Sequence, residues 1–392
     1  MKILFLTARL PYPPFKGDQV IPYHRLRLLS SNHAITLVSF YEKESDLSAL
    51  TVLQPFCEKI IPVKLSKSDG IINMLRYGLF SRCPFQVLYY TSRAFKRALD
   101  SVNPDDFDLI HTYMLRIAHY TPLSRKPRVL ELIDSMELNF RRRLLSESWY
   151  WKPLVKEEIR RLQRYERRMA EQFEAAVVVS ETDKATINHP NTRCIPLGVD
   201  VSVFYPTSKK PEKPTVVFSG NMSYYVNEKS IIWFIDHCWE RIKAEVPGVQ
   251  LKIIGAHPGK KLLHYSSDNS ILITGFVPSL ADELRTGHIA IAPMQSGSGM
   301  QNKVLEAMAC GLPVVCTSLG LGMIKAKHKK EVLSADEAEA FAESCIYLLT
   351  NEKERKEMGQ RAYKLVKESY TWEVNAERIN RLYRELRVMS DE

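Results

Sequence analysis

The sequence has no CxxC pair, no apolar run of roughly 18 residues and no low-complexity tract, and each absence closes a class. Seven cysteines, an odd number scattered over both halves, do not make a disulfide framework. A reducing cytoplasm is the simpler expectation, with Cys310 and Cys316 read as small core residues. No spanning helix is expected. The opening MKILFLTARLPYP reads directly as a strand, not as a basic region followed by a long apolar segment. The expectation is a soluble cytoplasmic chain, or one peripheral at the inner face of the membrane. Spacings typical of zinc sites, a P-loop or a serine nucleophile elbow are also missing, so no metal is expected.

What is present is a chain of 392 residues, about 45% apolar, long enough for two to three domains each with its own core. Short β-rich runs at 3–8, 34–40, 59–65, 107–113, 128–134 and 174–180 alternate with helical stretches. Such alternation predicts an α/β class with a parallel, doubly wound sheet, whose ligands bind outside the carboxyl ends of the strands. The alternation restarts after TSKKPEKP, with runs at 215–220, 250–255 and 271–277 and a long helix over 227–246. The proline- and lysine-rich stretch reads as a linker.

Residues 289–318, IAIAPMQSGSGMQNKVLEAMACGLPVVCTS, read as strand, glycine-rich loop, helix, turn and strand. Val304, Leu305 and Met308 make the helix's apolar stripe, and Gly311 with Pro313 ends it. The loop 297–299 feeds the helix start, where unpaired N–H groups and the positive dipole end favour a phosphate. Lys303 is placed to reach back toward a diphosphate. Glu306, on the same face, is an acceptor suited to a ribose diol. The alternative is a surface Lys–Glu pair contributing a few tenths of a kcal/mol.

His111 ends a buried strand and is expected at the edge of the cleft, to bind a sugar hydroxyl or act as acid or base; a structural histidine is the alternative. Gly17 and Asp18 after the first strand read as a turn and cap for a helix carrying Leu26, Leu28 and Leu29. From 134 to 171 the chain is dense in arginine. Leu154, Ile159, Leu162, Tyr165 and Met169 fall on one helical face with basic residues around the others. That is a solvated amphipathic helix, or a surface for an anionic acceptor or membrane. A net charge of +10 attracts nucleotide sugars, anionic lipid or nucleic acid alike. The basic residues are not interleaved with aromatics in a recognisable module, so no nucleic-acid partner is expected.

MQNKVLEAMACGLPVV resembles the donor-site motif of retaining family 4 glycosyltransferases of the GT-B fold, in the bacterial envelope branch, whose second motif glutamate falls at Glu306. The resemblance implies two Rossmann-like domains facing across a cleft: 1–204 on the acceptor side, a linker at 205–214, a nucleotide-sugar domain at 215–371, and a helix at 372–392 crossing back. It implies donor contacts at Gly17, Gly275, Ser298, Gly299, Lys303 and Glu306, with Gly275 meeting the base through backbone groups. Ser298 stands where the family carries its partner glutamate, and Leu197 replaces an asparagine before Gly198-Val199-Asp200. No arginine–lysine pair follows Gly220, so either Lys303 takes the diphosphate or diphosphate binding is weak. Many members place a histidine after the fifth strand; here that place is Ile133-Asp134, making Asp134 the substitute catalytic candidate beside His111.

The implied activity is transfer of a sugar from a UDP-, GDP- or ADP-sugar to a glycan or lipid-linked acceptor in envelope polysaccharide synthesis. The nucleoside diphosphate sugar is a co-substrate and no cofactor is expected. Closing the domains is expected to exclude water. The basic N-terminal domain is the expected membrane contact. The alternative is a GT-B-like protein that binds a nucleotide sugar or glycan without transferring it.

Overall fold

The computed structural model describes residues 1–14, 17–78, 80–208, 211–296 and 300–391. Contacts divide the chain into two units, Met1–Pro196 with Asn375–Glu392, and Leu197–Val374. Each is built on one parallel sheet.

In the first unit β1 (Lys2–Thr7), β2 (Ala34–Tyr41), β3 (Lys59–Lys64), β4 (Leu109–Tyr113), β5 (Arg128–Ile133), β6 (Ala175–Val178) and β7 (Thr192–Cys194) lie in the order β3-β2-β1-β4-β5-β6-β7. Helices cover both faces of a parallel sheet, so its strands are apolar on both sides. Ile3, Leu4, Phe5 and Leu6 accordingly have no exposed surface. The order reverses between β1 and β4, and the carboxyl ends of these two strands are where such a sheet binds ligands. The helix Gly17–Leu29 follows β1, and Asp18 in its first turn pairs with Arg9 at 3.1 Å.

In the second unit β8 (Thr215–Ser219), β9 (Gln250–Ile254), β10 (Ile271–Gly275), β11 (Ile289–Ala292), β12 (Val314–Cys316) and β13 (Val332–Ser334) lie in the order β10-β9-β8-β11-β12-β13, reversing between β8 and β11. The helix expected over 227–246 is Tyr225–Phe234, a π turn at Ile235–Trp239 and Glu240–Glu245. Segment 205–214, expected as the link, lies inside this unit: Arg285 sits 4.3 Å over the Tyr205 ring, and Pro206 packs against Gly311. Gly198 is set by close approach, because a Cβ there meets the Trp372 backbone at 2.7 Å while Val199 bridges to Thr371.

Two sequence expectations change. In the helix Lys152–Gln172 Leu154 is 45% exposed, while Glu158, Arg161 and Glu166 are buried. These charged groups stay inside because each finds partners, as buried charges must. Arg161 donates to the carbonyls of Gly78 and Cys83, and Glu158 accepts from the amides of Phe85 and Gln86. Among the described residues no helix is long and apolar enough to cross a membrane, and all seven cysteines are free.

Candidate active site

At the carboxyl end of β11 the chain runs into the helix Asn302–Ala309. Val304, Leu305 and Met308 are buried as the spacing predicts, which turns Lys303 and Glu306 away from the core. Both keep part of their surface open. Among the described residues no side chain caps this helix: the Gln301 carbonyl accepts from the Val304 amide, but its side chain makes no cap.

Lys303 crosses to the element after β8. Its ammonium donates to Asn227 Oδ1 at 2.5 Å and lies 4.6 Å from the centre of the Phe218 ring. Asn227 in turn donates to the Asn221 carbonyl at 2.9 Å, so Lys303 is fixed beside the turn Gly220-Asn221. Ser230 accepts from the Gln295 amide, and Thr317 donates to the Met294 carbonyl, tying the loop after β11 to its neighbours. Desolvation pushes Lys303 down to about 8 despite the opposing pull of Glu306. Desolvation also pushes Glu306 up to about 7, opposed by Lys303. Among the described residues the Glu306 carboxylate accepts no hydrogen bond. An acceptor recessed and unpaired in this way is poised for a ligand's hydroxyls.

Gly275 closes β10 with φ +69°, a left-handed conformation that suits glycine, and its carbonyl accepts from Gly255 at 3.1 Å. Phe276 beyond it is 79% exposed. Ser298 and Gly299 lie outside the described residues, and Gly17 opens the helix after β1.

In the first unit His111 is not at an edge. It sits in mid-strand with no exposed surface, stacked on Phe5 at 4.5 Å. Its Nδ1 accepts from the Tyr383 hydroxyl at 2.6 Å and its Nε2 donates to Glu131 Oε2 at 3.0 Å. Burial lowers its pKa, against the pull of Glu131, and keeps the ring neutral. Glu131 is held in turn by Arg25 at 2.8 Å, and Arg25 donates to Asn375. With both ring nitrogens engaged inside the core, His111 has no nitrogen left for a substrate. The sequence placed it on a strand, but only β4 lying between β1 and β5 decided that both faces are covered.

Asp134 follows β5, half-buried, beside the buried Asp183. Burial first, and the Asp183 charge second, push its carboxyl up to about 6. Ile133 before it has φ 73°, and Met114 after the adjacent β4 has φ 81°. A β-branched residue in this region is strained, and such strain concentrates at functional sites. Around Asp134, Glu166 accepts from the Ser135 hydroxyl at 2.8 Å and from amides at the start of the helix Met136–Ser146. Reading the sequence missed Asn227, Phe218, Arg25 and Glu131, whose roles depend on partners far along the chain. A cation absent after Gly220 was the one signal for Asn227, because something had to bring Lys303 there.

Residues 213–351 match the family model described as glycosyl transferases group 1. The chain is a glycosyltransferase of the GT-B fold, with a group 1 segment in its second unit. The transferase is 24% identical over 390 residues, 94% of this chain and 96% of the relative, to an uncharacterized 44.6 kDa protein in the cps region of Klebsiella pneumoniae. It is 24% identical over 203 residues, 48% of this chain and 49% of the relative, to a putative teichuronic acid biosynthesis glycosyltransferase, TuaC, of Bacillus subtilis. Among solved structures, sucrose-phosphate synthase from Thermosynechococcus elongatus superposes with a TM-score of 0.68 at 15% identity, covering 98% of this chain and 99% of that one. Anabaena HepE in complex with UDP superposes at 0.67 and 14% identity, covering 98% and 100%. At these identities the superpositions speak for the fold.

Proposed function

We propose that the transferase moves a sugar, with retention, from a nucleoside diphosphate sugar to a glycan or lipid-linked acceptor in envelope polysaccharide synthesis. The observation that carries this reading is the Glu306 carboxylate, recessed beside Lys303 and unpaired among the described residues. The relatives' names support the pathway, and the UDP complex of HepE supports a nucleotide-sugar donor.

In this reading Glu306 accepts from the ribose diol and Lys303 faces the diphosphate. The bond from the anomeric carbon to the diphosphate oxygen breaks, and its electron pair goes to that oxygen. The acceptor hydroxyl forms the new bond and releases its proton. Negative charge grows on the diphosphate, so a fixed ammonium and helix-terminal N–H groups stabilise the transition state more than the ground state. Asn227 and the Phe218 ring hold the ammonium in place before the donor arrives. Asp134 is the first unit's candidate acceptor for a sugar hydroxyl. No cofactor takes part in the proposed reaction.

The test is donor hydrolysis by purified protein against UDP-, GDP- and ADP-sugars, with the Glu306→Ala variant alongside. Release of one nucleoside diphosphate, reduced about 100-fold in the variant, is expected; that is about 2.7 kcal/mol of lost stabilisation. The rate should rise with pH through about 7 as Glu306 ionises, and fall above about 8 as Lys303 loses its proton. A second reading, binding without transfer, draws on Ser298 standing where the family carries a glutamate. Thermal stabilisation by a nucleotide sugar, without release in the presence of any acceptor extract, would decide for it.

A further inference from the structure

Two carboxylates from separate helices close on the turn that carries Asp134. Glu166, in the helix Lys152–Gln172, and Asp183, in the first turn of the helix Glu181–Ile187, are both buried. Glu166 accepts from the Ser135 hydroxyl at 2.8 Å, the Met136 amide at 2.5 Å and the Glu137 amide at 3.2 Å. Asp183 accepts from the Ser135 amide at 2.9 Å, and its other oxygen accepts from the Ser180 hydroxyl. The Ser135 hydroxyl oxygen meanwhile accepts from the Leu138 amide, so this serine already caps the helix Met136–Ser146. A helix start is ordinarily satisfied by its own cap and by water. Two further carboxylates, each costly to take out of water, are more than the helix requires.

What the extra bonds hold is a strained turn. Ile133 has φ 73°, in the left-handed region that a β-branched residue avoids, and the pairing of β5 with β6 is irregular between Glu131 and Ile133. Such a conformation persists only where the surroundings over-determine it. The Ile133 carbonyl accepts from the Val179 amide at 2.9 Å and the Asp134 amide donates back to the Leu132 carbonyl at 3.1 Å, which pins the turn from the strand side. Glu166 and Asp183 pin it from the helix side. Were Ile133 to relax into ordinary strand geometry, the next side chain would point to another face. That side chain is Asp134, at the carboxyl end of β5 and next to the strand pair where the sheet order reverses. Glu158 offers a comparison on the same helix as Glu166. It accepts from the amides of Phe85 and Gln86 at the start of the helix Phe85–Tyr89, but Pro84 before them has an ordinary φ of −56°.

We propose that Glu166 and Asp183 are positioning residues for the transfer reaction, gripping Ser135 and the helix start behind it so that the strained Ile133 turn presents Asp134 to a sugar hydroxyl. Neither carboxylate meets the substrate, because both are spent on backbone amides and serine hydroxyls. The proposal rests on the role given to Asp134 above and adds the two groups through which that role is exercised.

Hydrolysis of the UDP-, GDP- or ADP-sugar that the full chain accepts gives kcat and KM separately, with urea unfolding of each variant alongside. Asp134→Asn should lower kcat about 100-fold. Glu166→Ala and Asp183→Ala should lower kcat about tenfold with KM within about twofold of the parent, since a misplaced contact weakens the transition state more than donor binding. Glu166→Gln and Asp183→Asn keep an acceptor for the amides and should recover most of that loss. Glu158→Ala strands two amides in the same way and should lose comparable stability while kcat and KM stay at the parent's values. Should an alanine variant fail to fold, Ser135→Ala removes the hydroxyl that Glu166 grips, at a smaller change in volume, and should show the same split. If Asp134→Asn is impaired while Glu166→Ala behaves like Glu158→Ala, the proposal is overturned and the role of Asp134 stands. A rise in KM at unchanged kcat overturns it as well. If Asp134→Asn works like the parent, the role of Asp134 fails first and the proposal falls with it.

Discussion

Two charged clusters in this transferase differ in what surrounds them. In the first unit Arg25, Glu131, His111 and Tyr383 are buried and bonded to one another. In the second unit Lys303 is tethered to Asn227, while Glu306, recessed but partly open, accepts nothing among the described residues. The environments push the two carboxylates in opposite directions. Burial raises Glu131, but Arg25 and His111 outweigh it and hold it at about 2. Burial raises Glu306 to about 7 because one lysine is too little to offset it. A closed network serves the fold, and an open acceptor is left for the ligand proposed above.

The largest effect is expected from Glu131→Ala, which leaves Arg25 charged and unpaired in the core. A loss of about 3–5 kcal/mol in urea-unfolding stability is expected. A loss below about 1 kcal/mol would erase the distinction between the clusters. Next is acid. Glu131 is depressed in the folded protein, so its contribution is full above about 4.5 and disappears as pH falls toward about 2. The amount is about 3 kcal/mol, and His111, depressed below its ordinary value, adds to the loss in the same direction once pH drops beneath about 6.5. Unfolding midpoints across pH 7 to 3 measure both.

Tyr383→Phe removes one bond and leaves His111 Nδ1 without a donor. It should cost about 1–2 kcal/mol in the same assay. Smallest is Glu306→Gln. The folded carboxyl titrates above its ordinary value, so wild-type stability falls as pH rises from about 4.5 to about 7. The amide escapes that fall, and at pH 8 the variant should be as stable as the parent or up to about 1 kcal/mol more so. A clear loss there would place Glu306 in a structural network like that of Glu131.

The strands and helices were legible because parallel strands covered on both faces read as continuous β-branched runs. β1, β2 and β5 fall within a residue or so of the expected runs, and the helix Asn302–Ala309 buries the expected stripe. The three-residue β7 and β13 were not legible, since so short a run carries no period. Lys303 and Glu306 could be picked out because they lie three residues apart on one helix, where local geometry decides what shares a face. His111 could not be placed: its environment is made by Glu131 and by Tyr383, 272 positions later.

From sequence alone came the α/β alternation, the apolar stripes, and the placing of Lys303 and Glu306 on one helical face. All of these depend on periods of two or 3.6 residues that a chain carries locally. Tertiary structure decided which charges are satisfied. It closed the shell around His111 and Glu131, brought Asn227 to Lys303, and set Glu166 and Asp183 on the residue after Asp134. Desolvation and hydrogen bonding are set by atoms distant along the chain, and those meet only when the sheet order brings them together.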